Sequence, residues 1–273
     1  MKKSQPGSTY FFVDESGAPA FYDRHGNLIV GQAGCSPILI LGFVEIRQPE
    51  PVRQAILELQ QEIIRDPYFQ EFPSIQRTAV AFHAKDDLPE IRYAVFKLMS
   101  TLDFTAQFIV ARKIERVFRN NFHAKENAFY DHLVEQLFQG ILHRFENNFI
   151  YFAKRGSRNR QAPLVQAIAR GIEQFEAKWE TKVTTRYTVQ AQTPAGEPCL
   201  SLIDYMNWAV YRAFTRGEMR YFRTVADKVS LLVDLYDTRQ YPKNWYTRKN
   251  HPVVARPVYR THGMQSRLSL TTE

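Results

Sequence analysis

Nine residues, Ile38 to Ile46 (ILILGFVEI), constrain this chain more than any other stretch. A strand with one solvated face alternates apolar and polar residues, whereas Ile38-Leu39-Ile40-Leu41 is continuous. Such a run reads as a strand covered on both faces. Phe149-Ile150-Tyr151-Phe152 repeats the pattern. The chain therefore needs a sheet with cover on both sides. With 273 residues, 44% of them hydrophobic, it has the material for that core.

Further strand-like runs are Thr9 to Val13, Thr78 to His83, Phe104 to Lys113, Asn148 to Ala153 and Lys182 to Gln190. Between them lie stretches with helical spacing: Val52 to Arg65, Pro89 to Leu102, Ala128 to Phe145, Pro163 to Trp179 and Leu200 to Gly217. Two of these start with proline, which suits a first helical turn. The order is two strands, then helix–strand units, then a final helix. It predicts an α/β fold with a mixed sheet flanked by helices.

No linker or composition shift divides the chain before about residue 235, so residues 1–235 read as one α/β domain. Residues 236–273 read as an irregular, proline-containing basic extension, either a surface-packed tail or an arm on nucleic acid. Over the whole chain 36 Lys and Arg face 28 Asp and Glu, a formal charge of +8. That balance favours a polyanionic partner such as DNA or RNA. Cys35 and Cys199 are far apart and in no metal-ligand spacing, which argues against a disulfide framework or a zinc ribbon. No apolar run reaches the roughly 20 residues of a membrane span. The basic start MKKSQPGS has no apolar segment behind it, so no signal peptide and a cytoplasmic location are expected.

The stretch STYFFVDESG drives a core-like strand into two adjacent acids. Strand alternation puts Tyr10, Phe12 and Asp14 on one face and Phe11, Val13 and Glu15 on the other. Both acids can equally serve a turn into Ser16-Gly17. The second signal is CLSLIDYMNWAVYRAFTRG, residues 199–217, a helix apolar on most sides and hence buried, with Asp204 as its one acid. A buried lone carboxylate needs an Arg, a Lys, backbone donors or a metal. An ion pair with Arg212 or Arg216 is the structural alternative, although neither spacing suits Asp204. Two carboxylates on separate elements suit a hard cation such as Mg²⁺. Glu15, Asp86, Asp87 and Glu126 are the reserve acids.

His83 and Lys85 precede a predicted helix, a position where phosphates are met. Either can contact phosphate or assist proton transfer, and a locally satisfied histidine beside a solvated lysine is an equally open reading. Lys154, Arg155, Arg158 and Arg160 form a basic loop after a buried strand; solvation and backbone contact are both open readings. Phe82-His83-Ala84-Lys85-Asp86 nearly recurs as Phe122-His123-Ala124-Lys125-Glu126, without any wider repeat. Glycine-rich phosphate loops, GxSxG elbows and HExxH pairs do not occur.

The ordered set of Asp14-Glu15-Ser16-Gly17 after a first strand, Phe82-His83-Ala84-Lys85-Asp86 before a helix, and Leu200-Ser201-Leu202-Ile203-Asp204-Tyr205 opening a late helix resembles the bacterial domain-of-unknown-function family 3800. The likeness runs over roughly residues 8–235. It implies a ribonuclease-H-like, integrase-like sheet with Asp14 on the central first strand and Asp204 on the closing helix. It further implies catalytic Mg²⁺ or Mn²⁺ held by Asp14 and Asp204, with Glu15 in the same signature. Nuclease action near mobile-element or phage-defence genes, with a protein partner in such a complex, follows from the same resemblance. One departure stands out. Such folds carry another acid after the strand that follows the middle helix, and here that strand ends Phe152-Ala153-Lys154-Arg155. The expectation is thus a metal-dependent nuclease: Asp14, Glu15 and Asp204 as metal ligands, His83 in proton transfer, and Lys85, Lys154, Arg155 and Arg158 on phosphates. A non-catalytic nucleic-acid-binding subunit is the alternative, and a phosphoesterase acting on small nucleotides is a third reading.

Overall fold

The computed structural model describes residues 5–154, 161–237, 240 and 242–250. In chain order these form β1 (Gln5–Ser16), β2 (Ile38–Ile46), α1 (Pro49–Arg65), α2 (Pro67–Gln70), α3 (Ile75–Thr78), α4 (Pro89–Thr101), β3 (Thr105–Arg112), α5 (Glu115–Phe122) and α6 (Glu126–Phe138). Then come β4 (Phe145–Ala153), α7 (Gln161–Trp179), β5 (Arg186–Gln192), α8 (Leu200–Arg216), α9 (Arg220–Thr224), β6 (Val229–Leu235) and β7 (Trp245–Tyr246). Among the described residues the strands make one seven-stranded mixed sheet in the order β5-β4-β1-β2-β3-β6-β7.

The continuous apolar run is buried on both faces, as its pattern requires. Ile38, Ile40, Val44 and Ile46 of β2 join one core, with Val52 and Ile56 of α1, Val95 and Phe96 of α4 and much of α8. Leu39, Leu41 and Phe43 join the other, with Phe118 of α5, Leu133 and Leu137 of α6 and Ile168 of α7. β1 divides the same way: Phe12 faces the α8 side, and Phe11 and Val13 face the α6 side.

Strands β1, β2 and β3 form an antiparallel meander. On one flank β4 runs parallel to β1 and β5 parallel to β4; on the other β6 runs parallel to β3. Five strands therefore end at the same edge of the sheet, which gathers Asp14 to Ser16, Arg112, Lys154, Gln192 and Asp234. In α/β sheets, ligands bind at the carboxyl ends of parallel strands. Gly17 follows β1 with φ +95°, and a Cβ there would lie 2.7 Å from the Ile38 carbonyl. The turn after the acids thus depends on that glycine.

Some sequence expectations need correction. Thr78 to His83 is no strand: α3 ends at Thr78, the amides of Val80 and Ala81 bond back to Arg77, and Val80 is 64% exposed. Periodicity alone misreads so short an apolar run. The predicted helix Ala128 to Phe145 stops at Phe138, before Gly140 with φ +73° and a short 3-10 turn, Leu142–Arg144. The late helix is not the last element, because β6 follows it at the sheet's interior. α5 was likewise not predicted. β7, at Trp245–Tyr246, lies within the stretch expected to be irregular; residues 251–273 lie outside the described residues. No helix among the described residues is long and apolar enough to cross a membrane.

Candidate functional site

Asp14 stands at the carboxyl end of β1, paired across the strand to Gly42, on the face where α8 packs. α8 is the buried helix its sequence predicts, with Leu200, Leu202, Ile203, Met206, Val210 and Phe214 inside. It crosses β1 and β2 and carries Asp204 in its second turn, close enough for the two charges to interact. Burial pushes the Asp14 carboxyl well above the ordinary carboxylate range, and repulsion from Glu15 and Asp204 pushes the same way. A hydrogen bond from the Glu15 amide, 2.8 Å from Asp14 Oδ1, opposes them. Burial also raises the Asp204 carboxyl, against His83 and the Ala84 amide.

Asp204 makes neither of the ion pairs weighed from its sequence: Arg212 pairs with Glu218 instead. The Ala84 amide donates to Asp204 Oδ2 at 2.7 Å, and His83 Nε2 lies 3.7 Å from Oδ1. His83 Nδ1 lies 3.7 Å from Asp86 Oδ2, and half of its side chain surface is open to solvent. The imidazole thus sits at the mouth of the acid pair, between two carboxylates.

The 83–87 segment is pinned from behind. Asp87, 4% exposed, accepts from Thr78 Oγ1 (2.7 Å), from the His83 amide (2.8 Å) and from the Tyr205 hydroxyl (2.5 Å). Arg92 donates to the carbonyls of Ala84 and Asp87, and its guanidinium lies over the Trp208 ring. Consecutive residues of α8, Asp204 and Tyr205, therefore hold the two ends of one short segment. Burial raises the Asp87 carboxyl despite its three donors.

Glu15 takes the other face, as alternation predicts, and Tyr130 of α6 donates to it at 3.1 Å. Its charge still reaches Asp14. Asp86 sits at the solvent edge beside His83 and Arg77. Glu126 begins α6, on the opposite side of the sheet. Lys85 is exposed beside His83, and Lys154 is exposed after β4, its amide bonded to Gln192. Arg155, Arg158 and Arg160 lie outside the described residues. The near repeat does not carry over into structure: His123 and Ala124 have φ of 50° and 55°, and neither residue of the His83 copy does.

Sequence reasoning missed Asn207, Tyr205 and Arg92. Asn207 is 1% exposed and donates from Nδ2 to the Asp14 carbonyl at 2.8 Å. Its only sequence signal is an amide within an apolar helix, three residues after Asp204. Both cysteine thiols are buried and unbridged, Cys35 lying 3.1 Å from Lys113 Nζ.

Among the described residues no three His, Cys, Asp or Glu side chains form a metal-binding group. The donor set instead offers two partly buried carboxylates, Asp14 and Asp204, near enough for their charges to interact. That fits Mg²⁺ or Mn²⁺, which take one or two protein carboxylates and complete their shell with water and substrate phosphate. It does not fit a cage built from protein alone. Comparison with protein-family models and with curated proteins finds no match to this chain.

Proposed function

We propose that this chain is a divalent-metal-dependent nuclease on a ribonuclease-H-like α/β domain, of the kind found in the domain-of-unknown-function family 3800. The pairing of Asp14 with Asp204 carries the reading. Two partly buried carboxylates whose charges interact repel, and the pair becomes stable when a proton or a cation is shared between them. The fold supports it too, with Asp14 on a central strand, Asp204 on the helix across it, and five strand ends opening onto the same edge.

Asp14 and Asp204 would hold Mg²⁺ or Mn²⁺, and the ion would supply water activation and charge neutralisation at a phosphodiester. The Ala84 amide fixes one Asp204 oxygen and leaves the other facing His83. His83, half open to solvent between Asp204 and Asp86, is placed to protonate the leaving oxygen. Lys85 and Lys154, both exposed at this edge, meet the backbone phosphates. The net charge of +8 suits a polynucleotide rather than a small nucleotide. Glu15 acts from behind, through its charge on Asp14, while its carboxylate stays with Tyr130.

Purified full-length chain, incubated with single- and double-stranded DNA and RNA in Mg²⁺, Mn²⁺ or chelator, tests this directly. Metal-dependent cleavage is expected, falling at least a hundredfold in Asp14→Asn and in Asp204→Asn. Wild type that cuts nothing, or variants as active as wild type, would overturn it. A second reading rests on the missing third acid at the end of β4, where Ala153 leads into Lys154. It is a subunit that binds nucleic acid without cutting it, recognised by salt-dependent binding that survives both substitutions and chelation.

A further inference from the structure

We infer that Asn207 is a positioning residue: its buried amide clamps the end of β1 to α8 and so sets how the carboxylates of Asp14 and Asp204 face each other. The role assigned to that pair rests on the nuclease reading; the clamp itself does not.

Asn207 lies three residues after Asp204, on a neighbouring line of α8. The parallel ladder between β1 and β4 has Val13–Phe152 as its last pair, one residue short of Asp14. Beyond that ladder the Asp14 carbonyl takes its hydrogen bond from Asn207 Nδ2, at 2.8 Å and across 193 residues of sequence. One carbonyl thus ties the residue bearing the first carboxylate to the helix bearing the second.

The sheet is cut to admit this amide. Gly42 pairs with Asp14 across β1 and β2. A Cβ on Gly42 would fall 2.9 Å from Asn207 Oδ1 and 2.5 Å from the Phe108 ring. In a central strand a glycine is unfavourable, and its place there marks a close approach of another group. Two groups take that place, the Phe108 ring from the neighbouring strand and the Asn207 amide. Oδ1 is buried and has no hydrogen-bond partner among the described residues. An unpaired buried acceptor is costly, so the amide is not held by general polar bonding. What it contributes among the described residues is the bond to Asp14, where α8 packs on β1.

Two backbone amides report the two carboxylates independently of any metal or substrate. The Glu15 N–H donates to Asp14 and the Ala84 N–H donates to Asp204. Asn207→Leu keeps the volume and removes the donor; Gly42→Ala keeps the donor and crowds both it and the Phe108 ring. In amide NMR spectra of the full chain, both variants are expected to shift Glu15 and Ala84 while β5 amides such as Val189 stay put. Mn²⁺ binding is expected to weaken about ten- to a hundredfold, with kcat falling and KM little changed. Asn207→Ser, smaller and still a donor, is the fallback should leucine prevent folding, and the same shifts are expected of it. A folded variant with Glu15 and Ala84 where wild type has them would overturn the clamp. Wild type that neither binds Mn²⁺ nor cleaves would overturn the nuclease reading alone, because the amide shifts are read without metal.

Discussion

Asp14 and Glu15 are neighbours with opposite fates. Period-two alternation assigns one to each face of the sheet, and the faces differ: one meets Asp204 under α8, the other Tyr130 of α6. That much was legible, as was the need of Asp204, alone in an apolar helix, for partners. The partners were not legible, because His83 and Ala84 lie 120 or so residues away on a segment without regular structure. The raised Asp14 and Asp204 carboxyls have a consequence for stability. A carboxyl raised on folding opposes folding once it ionises: the penalty is absent below its unfolded midpoint and grows as pH climbs through the folded one. Each pH unit of elevation amounts to about 1.4 kcal/mol. In chelator, Asp14→Asn is therefore expected to be more stable than wild type towards urea at pH 8, with the difference shrinking towards pH 4. Added Mg²⁺ should narrow it at pH 8 by stabilising wild type. A difference independent of pH would contradict the coupling.

At the level of elements, the helices were the easier part. Pro89 opens α4, and Gly217, in the left-handed conformation at φ 67°, closes α8. The 78–83 segment misled because Ala79-Val80-Ala81-Phe82 has the apolarity of a strand, whereas its ends are held by side chains no local pattern encodes. Thr78 and Tyr205 both donate to Asp87, which in turn holds the His83 amide. Tyr205→Phe removes one of three donors to a buried carboxylate and is expected to cost about 1–3 kcal/mol. Hydrogen exchange should locate the effect. Amides of His83 and Ala84 ought to exchange faster, and those of β4 at the wild-type rate. Uniform acceleration would mean that the network merely supports the core. β6 went unread for another reason. Val229 to Leu235 is an adequate strand signal, but after an apparently final helix it had no assigned partner, and its pairing to β3 spans more than a hundred residues.

For the molecule as a whole, the mixed sheet with two apolar layers followed from composition and pattern, and the strand order did not. Order depends on which edges meet, and side chains at the edges decide that. Arg112, at the end of β3, donates to Asp234 at 2.9 and 2.7 Å and to Asp237 at 3.0 Å, and both acids are nearly fully buried. Removing the arginine takes three charge-assisted hydrogen bonds away from two buried carboxylates. Arg112→Met is expected to lose about 3–5 kcal/mol in urea unfolding, with β6 and β7 opening first. A loss below about 1 kcal/mol would show that the pairing of β3 with β6 does not depend on it.

The tie between Asn207 and Asp14 bridges 193 residues, and that spacing bears on biosynthesis. A ribosome releases Asp14 early and α8 late, and loops of such length close slowly. The acid pair therefore cannot exist on a nascent chain until β1 to β5 have emerged and α8 has docked. Whatever depends on the pair is withheld until α8 has left the ribosome and packed on the sheet. Premature stops before residue 204 yield products that carry Asp14 alone, without the acid pair.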